Sequence, residues 1–249
     1  MPQAQGRADP SLCAVCAGKN RWYPTSIADL DAFLGPHIKK SVQVPNGYAV
    51  RKNVCYGIQY LQYLSSSLEQ LSLSEVLIAM TYKQFIVNGI GVVEGLLFYL
   101  IKARGLHRTA EWELMDEHSA PPKAIGADTF RTETRLLRKR VSPIDEALTL
   151  ERILRIAERQ KVLGSDSAFY AQIHHLRNLR NKIHLHITRH DLDSDFNAFE
   201  LKDFELMKRV LLLLLSGQPF APSAIQGSYL TFLAPWRKVG VSYQSIERI

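Results

Sequence analysis

Cysteine is scarce in this sequence: three in 249 residues, too few for a disulfide framework. Cys13 and Cys16 have the spacing of half a zinc knuckle. No second short-spaced pair completes it, and only Cys55 and His37, far along the chain, offer further ligands. Missing too are a Walker-type phosphate loop, a dinucleotide fingerprint and a Gly-x-Ser-x-Gly elbow, which removes the corresponding nucleotide-binding and hydrolase classes. Residues 1–12 hold Asp, Pro and Arg where a secretory leader has an apolar core, so a reducing cytoplasm is the expected setting. The longest apolar stretch, Phe85 to Ile101, is interrupted by Asn88 and Glu94 and falls short of the ~20 residues a membrane span needs. It reads as a buried helix, with no membrane partner. Asp191, Asp193 and Asp195 alternate without the glycine and closing glutamate of a calcium loop, and no metal or other cofactor is expected.

What is present is ordinary for a soluble globular chain, with one bias. Hydrophobic residues make up 46% and charged residues 22%, enough for a sizeable core. The net charge is +7 and the isoelectric point about 9.3, which suits a polyanionic partner without demanding one. Arg131, Arg135, Arg138, Lys139 and Arg140 form the densest basic run, either a solvated face or an RNA-contacting patch.

Helical periodicity dominates the chain. Ser26 with Asp29 marks the start of a short helix toward Lys39, a long helix is expected from about Val50 to Leu68, and Ser72 with Glu75 opens another that ends before Gly105. His107–Thr129 reads as a helical fragment plus loop. Ser142-Pro143-Ile144-Asp145 reads as a helix start for a segment running to about Val162, and Ser165 or Asp166 caps the next helix. Glu200–Leu215 reads as the last strong helix. Short β-like runs follow at Tyr229–Leu233 and Val239–Tyr243. The expectation is an all-α protein: an N-terminal helical extension (1–69), a helical core (70–216) and a C-terminal extension (217–249) that is irregular or a small β-hairpin.

Arg177-Asn178-Leu179-Arg180-Asn181-Lys182-Ile183-His184-Leu185-His186 is the most informative stretch. An arginine can hold a phosphate through two parallel hydrogen bonds, and a histidine moves a proton near neutral pH. Phosphodiester chemistry needs both. On an unbroken helix, at about 100° per residue, Arg177 and His184 fall within about 20° of each other and Arg180 and His184 within about 40°. His184 is therefore the preferred acid/base residue, with His186 second. The bland alternative is a solvated helix face rich in Arg and His.

This stretch resembles the signature of the HEPN superfamily, all-helical domains of prokaryotic toxin and defence systems, many of them RNases. That signature is an Arg, usually followed by Asn, Asp or His, with a His after four to six intervening residues. Two registers fit: Arg177-Asn178 to His184, and Arg180-Asn181 to His186. The resemblance covers residues from about 70 to 215 and implies an HEPN-like helical bundle. Families of this kind often carry an acidic residue in an apolar early helix, and Val93-Glu94-Gly95 is similar. A buried carboxylate costs several kcal/mol unless paired, so Glu94 should meet Arg177 or Arg180, or stay protonated.

The activity implied is metal-independent cleavage of RNA through the 2′-hydroxyl, leaving a 2′,3′-cyclic phosphate. Arg177, Arg180, His184, His186, Asn178, Asn181 and Glu94 are the catalytic candidates, with Arg135, Arg138, Lys139, Arg140 and Lys182 as RNA contacts. One motif supplies few proton-transfer groups, so the resemblance implies a homodimer, joined through helix 85–101 or 200–215. An antitoxin or defence-system protein is a further implied partner. The alternative is a non-catalytic helical module that binds RNA, a nucleotide or a protein.

Overall fold

The structure is a computed structural model that describes residues 22–183, 194–218 and 220–235. Its longest helix sets the architecture. Helix α1 (Ile27–Leu34) starts where the Ser26 hydroxyl accepts the Asp29 amide N–H at 3.0 Å. Helix α2 (Gly47–Gln70) follows, then α3 (Glu75–Ala103). On α3, Phe85, Ile86, Ile90, Val93, Leu96, Leu97 and Ile101 are fully buried. They meet α2 on one side; on the others they meet α4 (Leu150–Arg159), α5 (Ser167–Arg180), the short α6 (Asp195–Ala198) and α7 (Leu201–Ser216). Burying each such side chain stabilises by roughly 1.5–3 kcal/mol. By length and composition α3 could cross a membrane, but 61% of its apolar window is enclosed within the protein, which accounts for its hydropathy. A single hydrophobic core extends from Leu30 to Leu233, and α1 and α2 belong to it as fully as the later helices do.

The all-α expectation is overturned. Helix accounts for 58% and strand for 14%, so the protein is a helix-rich α/β mixture rather than an HEPN-like all-helical bundle. The strands interrupt the chain between α3 and α4: β1 (Thr109–Ser119), β2 (Lys123–Ile125), β3 (Asp128–Phe130) and β4 (Glu133–Asp145). β1 pairs with β4 and β2 with β3, both antiparallel, giving a long ribbon with a smaller hairpin at its tip. The tip turns at Gly126, whose φ of +64° lies in the left-handed region that glycine adopts without strain. His107–Thr129 is thus largely strand, not helical fragment and loop. Ser142–Asp145, read as a helix start, is the end of β4, and α4 begins only after Thr149, whose hydroxyl accepts the Arg152 amide N–H.

One C-terminal expectation also fails. Tyr229–Leu233, read as β-like, lies in a 3-10 turn that follows α8 (Ala224–Gly227). Val239–Tyr243 lies outside the described residues.

Almost all of the ribbon is exposed. Trp112, Leu114 and Leu137 are about half exposed, and the register puts Leu114 opposite Leu137 and Trp112 opposite Lys139 on one face. Besides the backbone ladder, cross-strand ion pairs run along the ribbon. β1 carries the acids and β4 the bases, paired as Glu113 with Arg138 (2.6 Å) and Glu117 with Arg135 (3.1 Å). At the base, the buried Lys102 ammonium of α3 pairs with Asp145, and His107 approaches the other Asp145 oxygen at 3.3 Å. The lysine holds the Asp145 carboxyl below its usual range.

Candidate active site

Helix α5 carries the Arg-Asn motif. The Asp166 side chain caps its start, accepting N–H bonds from Ala168 and Phe169. Tyr170, Ile173, Leu176 and Leu179 face the core at helical spacing, which leaves Arg177 and Arg180 in the last turn, beside the negative end of the helix dipole. The helix stops at Arg180. Asn181–Ile183 is a 3-10 turn in which Lys182 has non-helical backbone angles. The ranking of registers by helical angle therefore does not apply, because it assumed a helix unbroken through His184. His184 and His186 themselves lie outside the described residues.

The two arginines point to different neighbours. Arg177 is mostly covered and ion-pairs with Glu151 of α4. Arg180 is more open and faces Glu94 of α3 at 3.7 Å. Asn178, Asn181 and Lys182 are exposed around the same helix end.

Glu94 lies at the edge of a groove of about 490 Å³ between α2, α3 and the start of α4. Asn53 and Asn88 line it with neutral amides; Gly57, Gly91 and Gly95 also border it, Gly57 standing against Val92 and Gly95 against Val54. A side chain on Gly91 would meet nothing within 4 Å, so the groove faces open space there. The arrangement offers a partly exposed arginine 3.7 Å from a partly covered carboxylate, which itself edges a concave surface bearing neutral amides. It could hold a phosphate-bearing group at Arg180 and orient its neighbours by hydrogen bonds.

The sequence-based RNA contacts are not gathered here. Arg135, Arg138 and Arg140 stand on β4, tied to Glu117 and Glu113 of β1, so most of their charge is spent within the ribbon. Lys139 makes no ion pair among the described residues. Of the residues considered for a metal, Cys55 is sealed in the core, where burial pushes its thiol up to about 11, and His37 packs between the rings of Phe33 and Phe220. Cys13 and Cys16 lie outside the described residues.

Two arrangements escaped sequence reasoning. His175 of α5 meets the buried Asp203 carboxylate of α7 at 2.7 Å, a carboxylate-oriented imidazole. It stands about 140° around the helix from Arg180 and so faces away from Glu94. Nothing local signals that pair, since its residues come from different helices. The second is a cluster of arginines on α4, whose signal was legible: Arg152, Arg155 and Arg159 recur at three- and four-residue steps.

Compared with known proteins, the chain matches no family model, no curated protein and no solved structure.

Proposed function

We propose that this protein is a metal-independent endoribonuclease of the toxin or antiphage-defence type. The observation that supports it most is the setting of Arg180: a guanidinium at the end of the motif helix, opposite Glu94 at an open groove, with His184 and His186 following directly in the chain. In the proposed reaction the 2′-oxygen attacks the adjacent phosphorus as a histidine takes its proton. The bond to the 5′-oxygen breaks, and a second group protonates that oxygen. Arg180 offsets charge on the non-bridging oxygens. The products are a 2′,3′-cyclic phosphate and a 5′-hydroxyl end.

The test is cleavage of single-stranded RNA with EDTA present, with ends identified by mass. Wild type should cut RNA and leave DNA intact, and either His184→Ala or His186→Ala should lose about 10²- to 10⁴-fold in rate, marking the working register. Equal rates in all three proteins, or cleavage of DNA, would refute the assignment. A non-catalytic RNA-binding module is the second reading, favoured by the commitment of Arg177 to Glu151; binding of RNA without any cleavage would establish it.

The working unit we propose is a symmetric dimer. The apolar residues of 85–101 are spent inside the protomer, as are Phe204, Met207, Leu211, Leu214 and Leu215 of α7. Uncovered apolar side chains include Leu201 and Leu213 on α7 and, sharing one face of the ribbon, Trp112, Leu114 and Leu137, where we place the contact. Sedimentation should show a dimer that Leu114→Ser with Leu137→Ser converts to monomer. A dimer indifferent to those changes would move the interface elsewhere.

A further inference from the structure

Where the chain leaves α3 and enters β1, it forms with α4 a second groove, of about 410 Å³, lined by Leu106, Arg108, Arg152, Arg155, Ile156 and Arg159. Arg152, Arg155 and Arg159 share one face of α4, and Arg108 reaches the groove from the residue before β1. Four guanidiniums around one opening repel each other unless anions intervene. Two carboxylates do so: Glu146 takes Arg152 through both oxygens, at 2.8 and 3.0 Å, and Glu151 takes Arg155 at 2.5 Å. Arg108 and Arg159 make no ion pair among the described residues, and both are exposed. Arginine forks left over in a concave, partly apolar setting match phosphate oxygens in shape and charge.

A second observation ties this groove to the motif. The carboxylate of Glu151 that holds Arg155 through one oxygen holds Arg177 through the other. The rim of the arginine groove and the first arginine of the motif thus meet on a single side chain.

We propose that the four-arginine groove docks the phosphodiester backbone of the RNA strand, a short distance along it from the bond attended by the motif. The identity of the strand as RNA rests on the endoribonuclease reading; the phosphate-binding role of the groove does not. Arg159 supplies unspent charge, and Arg108 adds charge that acts on Glu146 at longer range than the Arg152 bond does. Arg152 and Arg155 are pre-oriented by their carboxylates, and Leu106 and Ile156 give the groove an apolar floor.

The experiment is fluorescence anisotropy with a short single-stranded 2′-O-methyl RNA, which supplies the phosphates and lacks the nucleophile. It compares wild type, Arg108→Gln with Arg159→Gln, and Arg108→Lys with Arg159→Lys over a range of salt. The glutamine pair should weaken binding about tenfold and flatten the slope of log K against log salt by about 1.4, because two phosphates of a single strand are no longer neutralised. The lysine pair should recover the slope but not the full affinity, because a point charge releases counterions without forming the fork. Unchanged affinity and slope in the glutamine pair would overturn the proposal. So would binding of free pyrophosphate through these arginines by a protein that ignores the oligomer, since the groove would then serve a small ligand. Arginine-dependent oligomer binding by a wild type that never cuts RNA would leave the groove standing and remove the nuclease reading alone.

Discussion

Arg180→Ala should lower RNA cleavage by about 10²- to 10³-fold, mostly in kcat, while Arg180→Lys restores only part of the loss. Arg177 is 20% exposed and held by Glu151, whereas Arg180 is 36% exposed and separated from Glu94 by 3.7 Å. A guanidinium that is to follow charge onto phosphate oxygens must be able to leave its resting partner. Arg180 has the looser hold, and its partner Glu94 edges the open groove. Arg177→Ala should act chiefly on substrate affinity, because its loss frees Glu151 within the basic surface of α4. A full-speed Arg180→Ala enzyme beside a dead Arg177→Ala enzyme would transfer the catalytic role to the other arginine.

The largest effect on stability is expected at Gly47. This residue opens α2, and a Cβ there would lie 2.4 Å from the carbonyl oxygen of Lys39, 2.7 Å from its carbon and 2.9 Å from the amide nitrogen of Lys40. All three are main-chain atoms, which cannot swing aside as a side-chain tip can. Gly47→Ala should therefore cost about 2–3 kcal/mol in a urea melt, the range for an overpacked site. Gly91→Ala is the natural contrast. Its Cβ would meet nothing within 4 Å on an exposed turn of α3, and relief of the helical glycine penalty should stabilise by about 0.5–1 kcal/mol. A Gly47→Ala protein that melts like wild type would show instead that residues 39–47 repack freely.

These contrasts bear on how much of the molecule its sequence discloses. The helices were readable because each buries one face, so apolar residues recur at helical steps, as Tyr170, Ile173, Leu176 and Leu179 do on α5. The ribbon was not, for the same reason reversed. Alternation marks a strand only when one face is buried, and here Leu114, Leu136, Leu137 and Val141 are all exposed. Its charge pairs, such as Glu113 with Arg138, join residues far apart in sequence. Locally, Ser142-Pro143 followed by Asp145 has the grammar of a helix start, and the pairing of β4 with β1 overrides it.

At the site, the cost of an unpaired carboxylate in an apolar helix pointed to a cation near Glu94. Which arginine depends on how α5 is turned against α3, a tertiary matter; where α5 ends bears on the histidines instead, and nothing in the residues after Arg180 announces that end as a proline or glycine would.

The ribbon enters and leaves the helical body at one place: the amide N–H of Glu146 donates to the carbonyl of Arg108 at 2.9 Å. Topologically it is an insertion on a narrow stem, and its length adds little to the entropy of closing that stem. The helical body can therefore be rebuilt without it, a tight turn spanning the gap, provided Lys102 loses its ammonium along with Asp145. A methionine there would keep the volume and remove a stranded charge. The same narrow stem lets the arm change in length and surface without asking the helices to repack.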